Sequence, residues 1–474
     1  MARKRRRLIP PPEAAEEVDH ISHLPDAIIH YIFSFLPFKD VVKTSMLSKQ
    51  WRFAWTSSPY IDLSLPSKGV VPSISRALSL CTATKIEKFH LDANVISTEI
   101  DGWLHFAAAR KVEDFSLVFR QWHHFIPRLL WDSSWLVSLR VSKCLFPRNI
   151  TVHWPSLKKL CLQDHCLKKD QIMKILSGCP VLESLKLRSM SIFACDLQIE
   201  STYLRELVIE AVCISSINIS APNLLSLRLW GELTVAGVRL NGVSSLVAAE
   251  LNFKELDQLK FLVERQQVHL SDQLRILLKQ LQDVMTITIG SGCLKVLSTW
   301  EVMGMSYLSS SWHNIIVYST LSKSDLHGIA YLLRSSPLVE RLVICIPDFK
   351  NVTFKNEDYL DLCDFYEKQY WPSQKEFYCV PNHLKRVEIA GFELDKEKSK
   401  LLLALVKFLL EKAVGLEKMI LDAELRISYQ GLPIDPRDLG DLHDVIQLQE
   451  GCRRASRSAE VIVNYHFNGL PHQL

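Results

Sequence analysis

The sequence predicts an α/β repeat protein in which a short helical module precedes a stack of strands and helices. Two observations carry this prediction: an apolar-x-x-apolar-x-apolar hexad that returns from residue 86 onward, and helical apolar spacing near the amino terminus. The first eight hexads, from Ile86 to Leu246, begin 20 to 26 residues apart, a period typical of solenoid repeats. The last positions of each hexad alternate as in a short strand, so we expect a curved parallel sheet with helices on its convex side.

The helical module lies within residues 19–55. A first helix is predicted to open at Pro25, with a break at Pro37 and a second start at Asp40. Proline suits the first turn of a helix, where its missing N–H is not needed, and an aspartate side chain can cap the turn that follows.

Three helices of this length cannot bury all of the module's apolar side chains. Ile28, Ile32 and Leu36 share one stripe at four-residue spacing. An apolar surface left open on a small module normally marks a docking site. We expect the open surface to be drawn from Leu24, Ile28, Ile32, Val41, Val42, Leu47 and Trp51.

The same stretch resembles the F-box. LPDAIIHYIFSFLP, KDVVKTSMLSKQWR and the trailing Trp55 follow the family's pattern in order. The resemblance implies binding to the Skp-type adaptor of a cullin-RING ubiquitin ligase, with the cullin and the RING subunit reached through that adaptor. The alternative is an ordinary helical hairpin packed on the chain's own core. Carried over to this sequence, the adaptor contacts are Leu24, Pro25, Ile28, Ile32, Leu36, Pro37, Val41, Val42, Leu47, Ser48, Trp51 and Arg52.

The hexads indicate an irregular leucine-rich-repeat solenoid that extends past residue 330. An amphipathic stretch at 255–283 interrupts them and is predicted to form helices that cover the stack. The hexads are Ile86/Phe89/Leu91, Val112/Phe115/Leu117, Leu136/Leu139/Val141, Leu157/Leu160/Leu162, Leu182/Leu185/Leu187, Leu204/Leu207/Ile209, Leu224/Leu227/Leu229, Leu246/Ala249/Leu251, Val284/Ile287/Ile289, Trp312/Ile315/Val317 and Val339/Leu342/Ile344.

Side chains between the inward hexad positions are predicted to line a concave wall, the usual ligand surface of a solenoid. Arginine and tryptophan are favoured anchors of protein interfaces, although charges on a strand face are more often merely solvated. The candidate substrate-binding residues are Arg140, Lys186, Arg188, Arg228 and Trp230.

The last third of the chain departs from the hexad pattern. Residues 347–377 are rich in charged and aromatic residues and are predicted to form an insertion loop. A strand, a long helix at 396–413 and a second strand from Leu416 follow, and this order resembles the FBD region found behind F-box and leucine-rich repeats in plant proteins. A helix at 438–452 precedes the closing segment RRASRSAEVIVNY. The plainest role of this region is to cap the open end of the solenoid.

Six segments follow from these patterns. They are a basic and proline-rich tail (1–18), the F-box (19–63), the leucine-rich repeats (64–346), the insertion loop (347–377), the FBD-like strand-helix-strand cap (378–466) and a short tail (467–474).

The bulk composition is that of a globular protein of a reducing compartment. The 474 residues carry a formal charge of +4, too small to make nucleic acid the expected partner. Twelve cysteines are scattered, many within apolar runs, and the longest apolar run of ten residues is too short for a membrane span. We expect a soluble protein of the nucleus, the cytoplasm or both. The basic run is a nuclear import signal, a weak nucleic-acid contact or a solvated, disordered tail; it consists of Arg3, Lys4, Arg5, Arg6 and Arg7.

Motifs of an enzyme are missing from the sequence: there is no phosphate loop, dinucleotide fingerprint, metalloprotease motif or nucleophile elbow, and we expect no cofactor and no metal. The predicted function is therefore that of a non-catalytic substrate-recognition adaptor in a Skp-cullin-F-box ubiquitin ligase. The alternative is a non-proteolytic nuclear interaction scaffold that uses the same solenoid. A hydrolase or transferase with an unrecognised site is a third hypothesis.

Overall fold

A computed structural model of the chain describes residues 21–121, 124–164, 167–191, 196–214, 216–233, 237–253, 263–346, 377–393, 396–426 and 454–468. These residues form two compact units, one up to Leu145 and one from Phe146 onward. The basic stretch at residues 3–7 lies outside the described residues.

The N-terminal unit opens with the helical module, which comprises α1 (Asp26–Phe33), α2 (Phe38–Lys43) and α3 (Trp51–Ala54) with single 3-10 turns around them. Pro25 and Pro37 each immediately precede a helix. The predicted second start at Asp40 is therefore wrong, because the extended backbone of Pro37 lets the helix begin two residues earlier. Asp40 does not cap it and instead accepts a hydrogen bond from Lys43 at 2.7 Å.

The remainder of this unit is a parallel sheet with helices between its strands. Its elements are β1 (Tyr60–Leu65), α4 (Val71–Ser79), β2 (Lys88–Ala93), α5 (Glu99–Ala109), β3 (Asp114–Phe119) and β4 (Ser138–Ser142). The strands pair in sequence order without a shift of register. β1 was missed by the sequence analysis, whose first hexad begins at Ile86, and it crosses the F-box boundary predicted at residue 63.

The second unit repeats the same construction over a longer stretch. Its elements are β5 (Lys159–Gln163), α6 (Lys169–Ser177), β6 (Ser184–Ser191), β7 (Asp196–Glu200), β8 (Glu206–Ile214), β9 (Ser216–Ser220), β10 (Ser226–Leu233), β11 (Val238–Asn241), β12 (Ala248–Phe253), α7 (Val263–Gln280), β13 (Thr286–Ile289), α8 (Ser291–Val302), β14 (Asn314–Tyr318), α9 (Lys323–Ser335), β15 (Arg341–Cys345), α10 (Cys379–Asn382), β16 (Arg386–Glu393), α11 (Lys396–Lys412), β17 (Lys418–Arg426) and β18 (Glu460–Asn468).

The main sheet of this unit is parallel throughout, in the order β5-β6-β8-β10-β12-β13-β14-β15-β16-β17-β18. Every predicted hexad places its last two apolar residues in a strand, and these side chains are buried. The α/β fold class predicted from the sequence is thereby confirmed.

A second, smaller sheet was not predicted. β7, β9 and β11 pair in parallel with one another. Each contributes two buried apolar side chains at alternate positions, such as Leu197 and Ile199 in β7. The hexads Ile214/Ile217/Ile219 and Val235/Val238/Leu240 end in β9 and β11. They were missed because each falls between two hexads of the series spaced by 20 to 26 residues, and only that series was followed.

The C-terminal elements continue the main sheet in the same register, with β16 paired to β17 and β17 to β18. The strand, helix and strand predicted here are confirmed as β16, α11 and β17. Residues 347–376 of the predicted insertion loop and the predicted helix at 438–452 lie outside the described residues. The capping role of this region stays a prediction.

Candidate protein-interaction surfaces

Trp51 and Val41 form the core of the helical module. The Trp51 indole is only 3 % exposed, its Nε1 donates to the carbonyl of Ile21 at 2.9 Å, and its ring packs edge-to-face against Phe33. Val41 is fully buried. Placing these two residues in the open apolar patch was therefore wrong, because the module needs both of them for its own small core.

Other predicted residues of the patch do reach the surface. Ile28 is 46 % exposed and Leu47 60 % exposed. Leu24, Ile32, Leu36 and Val42 are partly buried, as is Ser48, which accepts a weak hydrogen bond from the Trp51 amide at 3.4 Å. Pro25, Pro37 and Arg52 are exposed.

Five further exposed apolar side chains of the module were missed. They are Ile21, Tyr31, Phe35, Met46 and Phe53. Tyr31 and Phe35 follow Ile28 at three and seven residues, and their rings meet edge-to-face at 5.0 Å. This helical spacing was visible in the sequence, but the four-residue stripe through Ile32 and Leu36 was chosen instead.

In the second unit, the outward face of the main sheet, opposite the buried hexad side chains, carries ion pairs that run from strand to strand. Lys186 pairs with Glu206 at 2.7 Å, and the Arg188 and Glu210 side chains approach to 3.6 Å. Burial alone would raise the pKa of Glu206, but hydrogen bonds from Lys186 and Ser184 outweigh it and lower the pKa. Lys186 and Arg188, predicted as substrate anchors, thus already have partners.

Arg228 and Trp230 belong to a denser cluster on the same face. Both donate to one carboxylate, since Arg228 Nε lies 2.6 Å from Glu250 Oε2 and Trp230 Nε1 lies 3.0 Å from Glu250 Oε1. The Trp230 ring also meets the Tyr318 ring edge-to-face at 6.4 Å. Burial and the nearby Glu250 carboxylate raise the pKa of Tyr318. We call Arg228, Trp230, Glu250 and Tyr318 the aromatic platform.

Tyr318 was not among the predicted site residues. It follows the last hexad position Val317, just as Trp230 follows Leu229, so the phase of the repeat could have identified it. Arg140, the remaining predicted residue, lies in β4 of the N-terminal unit, where it is opposite Ser116 on β3.

A second charged cluster was also missed. Arg341 on β15 donates twice to Glu388 on β16, at 2.8 and 3.2 Å, and Arg386 donates to the same carboxylate at 2.6 Å. These hydrogen bonds hold the pKa of Glu388 below its usual value despite partial burial. We call Arg341 and Arg386 the guanidinium pair.

Comparison with known proteins finds matches both to the helical module and to the repeats that carry the charged face. The model of the F-box domain matches residues 21–62, and a model described as FBD-associated F-box protein At5g56370, LRR repeats, matches residues 100–268. The F-box/LRR-repeat protein At5g02910 of Arabidopsis thaliana is 31% identical over 420 residues, which cover 86% of this chain and 89% of that protein. The chain belongs to the F-box/LRR-repeat family.

Two more relatives from Arabidopsis thaliana agree with this assignment. The putative F-box protein At1g49610 is 34% identical over 69% of this chain and 84% of its own length. The F-box/LRR-repeat protein At3g03360 is 32% identical over 69% and 71%. In this F-box/LRR-repeat protein, the F-box match covers the helical module with its exposed apolar side chains. An F-box followed by leucine-rich repeats is the arrangement of a protein-interaction adaptor.

Burial favours the protonated form of four cysteine thiols in the F-box/LRR-repeat protein. Burial raises the pKa of Cys81 to about 11 and the pKa values of Cys179, Cys293 and Cys379 to about 12. A thiol is a nucleophile or metal ligand only as the thiolate, so these four act as small apolar core residues. His165 and Cys166, which lie near Cys161 in sequence, fall outside the described residues.

Two features are absent from the residues that the structure describes. No group of three or more His, Cys, Asp or Glu side chains lies close enough together to hold a metal ion. Likewise, none of the helices found there combines the length and the apolar character needed to cross a membrane.

Proposed function

We propose that this protein is the substrate-recognition subunit of a Skp-cullin-F-box ubiquitin ligase. The F-box match at residues 21–62 is the observation that carries the proposal. In this scheme the helical module binds a Skp-type adaptor, which connects the chain to the cullin and the RING subunit. The outward face of the repeat sheet binds the protein to be ubiquitinated.

Exposed apolar side chains on the module support the adaptor half of the proposal. Ile28, Tyr31 and Phe35 follow one another around the end of α1, and Leu47 lies beyond α2. Isolated apolar residues on a surface are ordinary, but several on a module of about forty residues favour a protein partner. Val41 and Trp51 would act indirectly, by holding the exposed side chains in place.

The chain would contribute binding and no chemistry. A receptor that holds a substrate next to the ligase machinery raises the effective concentration of the two reactants. Ubiquitin transfer is then carried out by other subunits. This division of labour requires two independent binding surfaces on one chain.

Co-purification with a Skp-type adaptor tests the adaptor half directly. The double variant Ile28→Asp with Leu47→Asp places charges at two exposed positions, so it should abolish binding without unfolding the chain. Met303→Asp is the control, because Met303 is also an exposed apolar residue but lies in the second unit. The proposal fails if the wild-type chain binds no Skp-type adaptor, or if the double variant binds as well as the control.

Proximity labelling with and without proteasome inhibition tests the substrate half. Labelled proteins that accumulate upon inhibition, and that lose this response in the double variant, would be substrates of the ligase. Partners whose lifetime is the same with the wild-type chain and with the double variant would favour the alternative, a non-proteolytic scaffold.

A further inference from the structure

The outward face of the second unit carries one row of side chains with an apolar middle and charged ends. The parallel register aligns Glu250, Thr288, Ile316, Val343 and Glu388 on five neighbouring strands, β12 to β16. We call these five residues the outward row. Val343 and Thr288 are each only 8 % exposed although they point away from the hexad core. Neighbouring side chains therefore cover most of Thr288 and Val343, and we call the outward row together with the side chains on its two sides the trough.

One wall of this trough is aromatic. Its two rings stand two residues further along their strands than the outward row. Trp230 is two residues after Arg228, which pairs with Glu250 of the row, and Tyr318 is two residues after Ile316 of the row. Their edge-to-face contact and the hydrogen bond from Trp230 to Glu250 fix both rings. An aromatic platform held in this way offers a large contact area at little cost in side-chain entropy, which is typical of interface anchors.

The opposite wall carries an excess of positive charge. Arg341 and Arg386 share the single carboxylate of Glu388, whereas at the other end of the row Arg228 and Glu250 balance one another. The Arg341 and Arg386 side chains are 41% and 46% exposed. Each guanidinium has five N–H donors and uses only some of them to bind Glu388. Both guanidiniums can therefore donate hydrogen bonds to a further anion.

We propose that this trough binds an extended polypeptide segment in which an apolar or aromatic side chain is followed closely by a carboxylate. The inference rests on the proposed function and specifies what the repeat face recognises. The apolar side chain lies on Ile316 and Val343 against the aromatic platform, and the carboxylate pairs with Arg341 and Arg386.

The spacing of the two features follows from the sheet. Ile316 lies one strand from Arg341 and two strands from Arg386, and both arginines lie two residues back along their strands from the level of Ile316. At ~4.8 Å per strand and ~3.3 Å per residue, these offsets combine to about 8 Å and about 12 Å. An extended chain covers such distances in about two to four residues, so the recognised segment is short and its two features stand two to four residues apart.

Hexapeptide arrays probed with the purified full-length chain test the proposal. The probes carry Phe or Leu followed two to four residues later by Asp. Matched peptides replace the Asp with Asn or Lys, or the apolar residue with Ser. We expect retention of the apolar-acidic peptides and at least tenfold weaker binding of every replacement.

Single substitutions test which side of the trough recognises the carboxylate and which side recognises the apolar side chain. Arg386→Gln should abolish the discrimination between Asp and Asn, and Trp230→Ala should abolish the preference for Phe over Ser. If Trp230→Ala does not fold, Tyr318→Leu takes its place, since it removes the ring contact from the other side. Arg188→Gln is the matched control, because Arg188 also pairs with a glutamate on this face but lies on β6, outside the trough.

Two results would overturn the inference: an array that retains no apolar-acidic peptide, or variants that retain the same peptides as the wild type. Retention of an oligoribonucleotide in place of peptides would also overturn it. Co-purification of the Skp-type adaptor from the same preparations reports separately on the proposed function. A chain that binds the adaptor but no peptide therefore refutes the trough alone.

Discussion

The rings of Trp230 and Tyr318 meet at 6.4 Å although two other strands lie between β10 and β14. Three strand spacings correspond to ~14 Å between backbones, so both side chains must lean across the sheet. Asn252 on β12 lies directly opposite Trp230, and Gly290 follows the end of β13. A Cβ at Gly290 would overlap the Asn252 side chain, so the glycine leaves the space that this side chain occupies.

A double-mutant cycle should measure this contact. We expect Trp230→Ala and Tyr318→Ala to be coupled by ~0.5–1.5 kcal/mol in the free energy of unfolding, the usual range for an aromatic pair. Denaturant titration of the wild type, both single variants and the double variant provides the four values. Tyr307→Ala with Trp230→Ala is the control pair, because Tyr307 contacts Tyr331 on α9 and not the aromatic platform. Additive effects of Trp230→Ala and Tyr318→Ala would contradict the contact.

The buried ion pair between Glu301 on α8 and Arg334 on α9 should be costly to break from one side. Both side chains are almost fully buried, and the Arg334 guanidinium also packs over the Phe377 ring at 4.2 Å. Glu301→Gln leaves the guanidinium without a counter-charge, so we expect a loss of ~3–5 kcal/mol in the free energy of unfolding. Denaturant titration measures the loss.

The companion variant replaces both partners. Glu301→Met with Arg334→Met removes the two charges together and should recover most of the stability lost by Glu301→Gln, because no buried charge is left unpaired. A double variant that is less stable than Glu301→Gln would show that the pair is itself strongly stabilising.

Close helix packing predicts opposite effects for two glycine-to-alanine substitutions. A Cβ at Gly328 on α9 would lie 2.5 Å from the carbonyl oxygen of Leu294 on α8, whereas a Cβ at Gly102 on α5 would meet nothing within 4 Å. Gly328→Ala should therefore destabilise the chain by ~1–3 kcal/mol through overpacking. Gly102→Ala should stabilise it by ~0.5–1 kcal/mol, because alanine is the better helix former. Thermal denaturation of both variants checks the two signs, and a stabilised Gly328→Ala would contradict the packing.

Much of the repeat architecture could be predicted because the alternating apolar residues at the end of each hexad mark one strand. Leu185 and Leu187, for example, are buried in β6 as their spacing predicts. β1 was missed although Ile61 and Leu63 are buried and pair with Phe89 and Leu91, because Ser58 and not an apolar residue stands at the first hexad position. An incomplete pattern therefore concealed β1.

The candidate surfaces were less predictable, because exposure is decided by packing over long sequence distances. Trp51 is buried because Ile21, thirty residues earlier, accepts the hydrogen bond of its indole. Periodicity cannot show such a contact. In the same way, phase identified Arg228 and Trp230 as outward, but only the register of β10 and β12 brings Glu250 beside them.

Trp51 should matter for the stability of the helical module, whatever its effect on adaptor binding. Trp51→Ala removes a buried indole and its hydrogen bond to Ile21, so we expect a loss of ~3–5 kcal/mol. Met46→Ala, which removes an exposed side chain of the same module, should change stability by no more than ~0.5 kcal/mol. Hydrogen exchange of the amides in α1 and α3 measures the local effect. Equal protection in the two variants would contradict the burial of Trp51.

Because two arginines share the Glu388 carboxylate, the free energy of unfolding should depend on pH in the acidic range. Hydrogen bonds from Arg341 and Arg386 hold its pKa below the usual 4.5, so the stabilisation is fully present above pH 4.5 and is lost as the pH falls through the lowered pKa. Glu388→Gln should therefore be less stable than the wild type near neutral pH, by ~0.5–1 kcal/mol because the guanidiniums are half exposed to solvent. The difference should vanish once the carboxyl is protonated. Denaturant titrations at about pH 7 and about pH 3 test this, with Glu460→Gln as a control at an exposed carboxylate. A stability difference for Glu388→Gln that stays constant or grows toward low pH would mean that the carboxylate is not stabilised by the guanidinium pair.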